Sequence, residues 1–191
     1  MLPRKNNFLM VELNDLIKVY ENSLSSDVCD QLVSFFESRT DEQEYIDNQG
    51  IPTFTQFNLT KNRQDQEEIH NQLIRTVFEY RDMYYEYVCK NVFPESHAFE
   101  EFRIKRYNVG GSERFDSHVD VQDYNSARRF LSFFWYLNDV EEGGETVFSD
   151  IEIKPSKGNL VIFPPLWMFP HKGNPPISGT KYILSTYLHY K

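Results

Sequence analysis

The sequence predicts a mainly β domain with supporting helices: a sandwich or barrel of short strands that carries its N-terminal helices packed on one outer face. Three observations predict it. Beyond residue 95 the chain breaks into short β-branched and aromatic runs, 102–109, 115–121, 130–137, 145–148, 159–163 and 181–190. Dense turn chemistry separates them, in Gly110-Gly111, Asn138-Asp139, Gly143-Gly144, Lys157-Gly158 and Pro164-Pro165. Upstream, residues 66–91 contain no Gly or Pro, and Ile69, Leu73, Val77, Tyr80, Tyr84 and Val88 recur every three or four residues, as the buried face of a long helix requires.

The elements follow in order. Residues 17–20 read as a short strand, and Ser25-Ser26-Asp27 as the cap of a helix over 28–36, where apolar residues recur at near-helical spacing. The segment 41–65 is polar; Asn48-Gln49-Gly50 is a turn signal and 51–59 an alternating, strand-like piece. The aromatic stripe of the 66–91 helix is core packing by composition. No low-complexity linker divides the chain, so one domain is expected over 1–191, with helical support and first strands in 1–95 and the β core in 96–191.

Composition narrows the function. In 191 residues, 40% apolar and 16% aromatic content is enough to bury a core and excludes a disordered chain. With 20 Lys+Arg against 29 Asp+Glu the net charge is −9, which opposes non-specific binding to nucleic acid or to an anionic membrane. Cys29 and Cys89 form no CxxC or zinc-ribbon spacing, and a reducing cytoplasm fits them best. The apolar stretch 8–11 is cut by Glu12 and Asp15, too short for a signal h-region or a membrane span.

One constellation carries chemistry. His118-Val119-Asp120 lies in a predicted strand, where alternation sends His118 and Asp120 to one face within reach of a single ion. In an acidic chain with five histidines such a triplet arises about once by chance. The second piece is His171, in Phe169-Pro-His-Lys-Gly173, where a later strand of a barrel returns beside the first. Two His and one carboxylate occupy one face of an octahedron and leave three positions open, which suits non-haem Fe(II) rather than a closed structural zinc. The third piece is Lys181, on a β-branched and aromatic strand, where an inward ammonium needs an anion to repay its desolvation.

Taken together, His118-x-Asp120, Gly143-Gly-Glu-Thr-x-Phe148, Gly158 with Val161-Ile-Phe163, and His171 with Lys181 resemble, in order, the Fe(II)/2-oxoglutarate dioxygenases of the prolyl 4-hydroxylase type. Arg106-Tyr107 before the His-x-Asp and Tyr136-Leu-Asn138 after it also look like that family. The resemblance spans about 103–187. It implies a double-stranded β-helix, or jelly roll, with the metal site in the 96–191 core and Fe(II) held by His118, Asp120 and His171. The cosubstrates would be 2-oxoglutarate and O2, with ascorbate as a reductant. The distal carboxylate of 2-oxoglutarate would pair with Lys181, helped by the hydroxyl of Tyr136 and by Ser185, with Tyr107 as a second hydrogen bond.

The implied reaction hydroxylates prolyl residues of a peptide or protein and releases succinate and CO2. The alternatives are the same oxidant acting on a free amino acid or a lysyl side chain and, from another class, a catalytically silent β-helix binding module. Tyr187 stands where many members have Trp and Phe115 where Tyr is frequent; both keep an aromatic wall. The segments 41–65 and 122–129 are the expected lids over the substrate, and Arg128-Arg129 is read as a solvated basic turn.

Overall fold

The computed structural model describes residues 12–47, 52–110 and 112–191. In chain order these form β1 (Lys18–Tyr20), α1 (Ser26–Ser38), β2 (Glu44–Asp47), β3 (Thr53–Asn58), α2 (Glu67–Val88), β4 (His97–Phe99), β5 (Arg103–Tyr107) and β6 (Phe115–His118). They continue with β7 (Arg129–Tyr136), β8 (Thr146–Phe148), β9 (Ile151–Ile153), β10 (Leu160–Phe163), β11 (His171–Gly173) and β12 (Lys181–Tyr190). Short 3-10 turns link several of them.

The strands build two sheets. The larger runs β1-β10-β7-β12-β5-β3-β2, with β4 on the far half of β12; the smaller runs β6-β11-β8-β9, and every pairing is antiparallel. This is the jelly roll the resemblance implies.

Side-chain alternation explains how the large sheet serves two cores at once. On β7, Leu131, Phe133 and Trp135 face α1 and α2, where they meet Leu32, Phe36, Leu73 and Val77 in one buried cluster. Phe134 and Tyr136 face the other way and pack between the sheets with Phe148, Ile153 and Phe163. Strand β7 is therefore apolar at nearly every position, as a strand covered on both faces must be. Helix α1 starts where the sequence placed it: the Ser25 hydroxyl accepts from the Val28 N–H at 3.3 Å.

The structure departs from the sequence reading in three places. The strand-like piece read over 51–59 is β3, with Phe54 and Phe57 buried, and because β3 pairs with both β2 and β5, residues 53–58 belong to the large sheet and not to a lid. The Asn48-Gln49-Gly50 turn lies outside the described residues. Strands β4, β9 and β11 have three residues each, too few to show a period-two pattern in sequence. Strand β6 ends at His118, so Asp120 sits just beyond it rather than within it.

Gly158 joins the two layers at the turn into β10. Its φ is +81°, its N–H donates to the Tyr136 carbonyl at 2.9 Å, and a Cβ there would overlap the Leu24 carbonyl oxygen. Gly158→Ala is therefore expected to lower stability by about 2 kcal/mol or more in urea unfolding, through both the left-handed backbone and the displaced loop. A variant as stable as the parent would show that this turn relaxes freely.

Candidate active site

Between the sheets lies a cavity of about 60 Å³. His171 on β11 pairs directly opposite His118 on β6, which brings residues far apart in sequence onto one face, with ring centroids 4.3 Å apart. The chain then turns after His118 and returns Asp120 to the same point. His118 Nε2 lies 3.5 Å and His171 Nε2 3.9 Å from Asp120 Oδ1. Metal ligands about 2.1 Å from a common centre sit roughly 3 to 3.5 Å apart, so the spacing fits one ion with little adjustment.

Both rings are already oriented for that role. His118 Nδ1 is 2.8 Å from the Asp116 carbonyl and His171 Nδ1 is 3.1 Å from the Phe169 carbonyl. A carbonyl only accepts, so each Nδ1 carries the proton and each Nε2 turns its lone pair toward Asp120. Phe115 stacks on the His118 ring with centroids 3.5 Å apart and fixes its plane. Burial lowers the pKa of His171 and keeps it in the neutral, ligating form, against the pull of Asp120. Burial would raise the Asp120 carboxyl, but its histidine neighbours and the Lys105 ammonium outweigh it and hold the group below its usual value, ionised. The three side chains together are the donor set that the 2-His-1-carboxylate reading requires.

Lys181 opens β12, opposite Tyr107 on β5, and is 2% exposed. Its ammonium donates to the Gly144 carbonyl at 2.9 Å and lies 4.6 Å from the centre of the Tyr107 ring. Burial pushes its pKa down to about 8, against the attraction of Glu145. Gly144 adopts φ +76° over the lysine stem, where an added Cβ would come within 3.2 Å of Lys181 Cδ. Lys181, Ile183, Ser185 and Tyr187 alternate along β12 onto the cavity wall, so Ser185 does share a face with Lys181. Tyr107 lines the same wall.

Tyr136 departs from expectation. Its hydroxyl donates to Thr146 Oγ1 at 2.7 Å, with the Ile153 carbonyl 3.2 Å away, and the ring sits behind the cavity lining. Thr146 faces the cavity instead. With its oxygen occupied by Tyr136, its own proton is free to donate inward, so the hydroxyl expected from Tyr136 is delivered one residue closer. Thr146 is the Thr of the Gly143-Gly-Glu-Thr motif, which is the signal that marks it.

Arg129 was also misplaced by sequence alone. Rather than a solvated turn residue, it is half-buried and forms a two-pronged pair with Glu100, 2.7 Å on each side. Its remaining nitrogen donates to the Asp120 carbonyl at 2.9 Å, and its guanidinium lies 4.2 Å from the Tyr187 ring centre. Glu100 also meets His189 Nε2 at 3.0 Å. Arg129 thus ties the turn that carries Asp120 to the large sheet.

Known proteins fit this geometry. A family model, described as the 2OG-Fe(II) oxygenase superfamily, matches residues 102–189, the stretch that holds all three candidate ligands and Lys181. Among curated relatives, the chain is 37% identical over 94 residues to "Probable prolyl 4-hydroxylase 9" of Arabidopsis thaliana, covering 38% of this chain and 32% of that protein. The chain thus spans about a third of that relative's length. "Probable prolyl 4-hydroxylase 3" of the same plant is 24% identical over 204 residues, covering 90% of this chain and 68% of the relative. Among solved structures, the viral collagen prolyl hydroxylase of Paramecium Bursaria Chlorella virus-1, in its 2OG complex, superposes with a TM-score of 0.72 at 22% identity, over 92% of this chain and 97% of that one. That likeness establishes the fold.

Two outcomes test the oxygenase site. Replacing His118, Asp120 or His171 by Ala is expected to abolish tight Mn(II) or Fe(II) binding, read by calorimetry, with the circular dichroism unchanged, because three ligands act as one unit. Near-parental metal affinity in any of the three removes that residue from the donor set. Lys181 must be protonated to hold an anion, so 2-oxoglutarate affinity is expected to be flat below a pH of about 8 and to fall on the order of tenfold per pH unit above it. A titration series in which Lys181→Met shows the same pH profile as the parent would place the cosubstrate elsewhere.

Proposed function

We propose that the chain is an Fe(II)- and 2-oxoglutarate-dependent dioxygenase that hydroxylates prolyl residues of a peptide or protein. The observation that carries the reading is the meeting, in one cavity, of two pre-oriented Nε2 atoms and Asp120 with the buried ammonium of Lys181. The names of the relatives and of the viral structure support the prolyl substrate.

Bound by His118, Asp120 and His171, Fe(II) would supply O2 activation driven by oxidative decarboxylation of 2-oxoglutarate to succinate and CO2. The chain's own residues do the rest. Lys181 pairs with the distal carboxylate, which repays the desolvation of its ammonium. Thr146 donates a hydrogen bond beside it, the Tyr107 hydroxyl offers a second, and Ser185 lies further along the same wall. Phe134, Phe163 and Ile183 keep that end of the cavity apolar and limit water around the reacting centre. Arg129, by holding the Asp120 carbonyl, keeps the carboxylate turned inward.

No helix among the described residues is long and apolar enough to cross a membrane. Cys29 and Cys89 are both free thiols. These support a cytoplasmic enzyme acting in a reducing compartment.

The test is incubation with Fe(II), 2-oxoglutarate and ascorbate, with succinate and added oxygen both measured. Proline-containing peptides are expected to gain 16 mass units, about one succinate per oxygen added. Faster coupled turnover with free proline or free lysine would replace the peptidyl reading with a free-amino-acid one. Oxygen added to lysyl rather than prolyl residues would move the site of attack. Absence of succinate under every condition would leave a silent binding module.

A further inference from the structure

The cavity holds a second inward-facing lysine. Lys105 lies two residues before Tyr107 on β5, so it shares the cavity face, whereas Arg106 between them pairs with Glu37 of α1 and Ile104 before it is buried on the helix side. The half-buried Lys105 stem lines both the cosubstrate end of the cavity and an adjoining outer lobe of about 220 Å³. Its ammonium lies 5.4 Å from the centre of the Phe54 ring, which walls that outer lobe.

What distinguishes Lys105 is the lack of a partner. Every other cation near the lobe is matched: Arg103 with Glu101, Arg114 with Asp116, Arg129 with Glu100. Lys181 has the Gly144 carbonyl. No hydrogen bond or ion pair reaches the Lys105 ammonium from the described residues, and the nearby unclaimed carboxylate, Asp120, is the one a metal ion would take. In the loaded site, Fe(II) and Lys181 together balance Asp120 and the two carboxylates of 2-oxoglutarate. Lys105 is then the surplus positive charge in a lobe that Phe54, Phe115 and Tyr187 line together with Glu100 and Glu101, whose carboxylates are already paired with Arg129 and Arg103. An ammonium left so poorly solvated calls for an anion, and neither the chain nor the cosubstrate provides one.

We propose that Lys105 selects the substrate by pairing with a carboxylate on it, the side chain of an Asp or Glu that flanks the hydroxylated proline. The inference rests on the peptidyl reading above. An extended peptide laid across the mouth would place a flanking side chain in the outer lobe while its proline points at the metal. Lys105 is thereby a specificity residue, not a catalytic one.

The experiment measures binding without turnover, by fluorescence anisotropy in the presence of Mn(II) and 2-oxoglutarate under anaerobic conditions. The probes are labelled Ala-rich peptides with one proline, in which a single Asp is walked through the four nearest positions, each with an Asn counterpart. The parent chain is expected to bind the Asp peptide about tenfold or more tightly at one position. Lys105→Met should erase that difference, Lys105→Arg should keep much of it, and both should bind 2-oxoglutarate like the parent. No position at which Asp outperforms Asn, or a preference that survives in Lys105→Met, overturns the inference. Loss of 2-oxoglutarate binding in Lys105→Met would also overturn it, by assigning the lysine to the cosubstrate. The peptidyl reading is judged separately: peptides hydroxylated without acidic preference leave it standing, whereas no peptide bound to a chain that still binds 2-oxoglutarate removes both.

Discussion

Each cavity histidine has one ring nitrogen committed to a backbone carbonyl, Asp116 for His118 and Phe169 for His171. The site depends on what that leaves on the opposite side of each ring. A tautomer fixed at Nδ1 aims the Nε2 lone pair inward, and the direct pairing of His171 with His118 brings the two lone pairs to one point. The side chains need not reorganise to receive an ion, so little of the binding energy would be spent on ordering them. The small sheet has only short strands, yet it supplies this register, which is the feature the chemistry needs most.

The large sheet supplies rigidity. Strands β7 and β12 are covered on both faces, by α1 and α2 on one side and by the cavity and small sheet on the other. Their alternation converts a packing requirement into a functional one: helix-side positions Leu184 and Leu188 anchor β12 and thereby fix the height of Lys181, Ser185 and Tyr187 on the other face. The Arg129–Glu100 pair extends the same logic to Asp120, which no strand holds. A carboxylate placed on a turn needs such a tether, because the turn alone would not restrain it.

Charge is distributed unevenly around the cavity. The chain is acidic overall, but its inner wall presents two lysines that lack carboxylate partners. Lys181 sits deep, with one carbonyl and an aromatic face for company, and Lys105 sits toward the mouth against Phe54. Desolvation makes such cations unstable alone and strong when matched, so the two together specify where anions go in the loaded site.

The sequence by itself determined the large elements and the chemistry of the site. Helix α2 is legible because a three-to-four-residue apolar repeat persists for six turns, and β7 and β12 because their aromatic and β-branched runs are long. His118, Asp120, His171 and Lys181 are legible because few side chains bind metals or buried anions, and their order along the chain is a pattern. Tertiary structure decided matters that depend on which side chain stands in front of another. Tyr136 was expected at the cosubstrate, yet Thr146 intercepts its hydroxyl. Arg129 was expected in solvent, yet Glu100, distant in sequence, draws it onto the Asp120 turn. Residues 53–58 were read both as strand-like and as part of a lid, and pairing with the edge of β5 decided for the strand. In each case the outcome follows from a hydrogen-bond partner contributed by another part of the chain, which local pattern cannot contain.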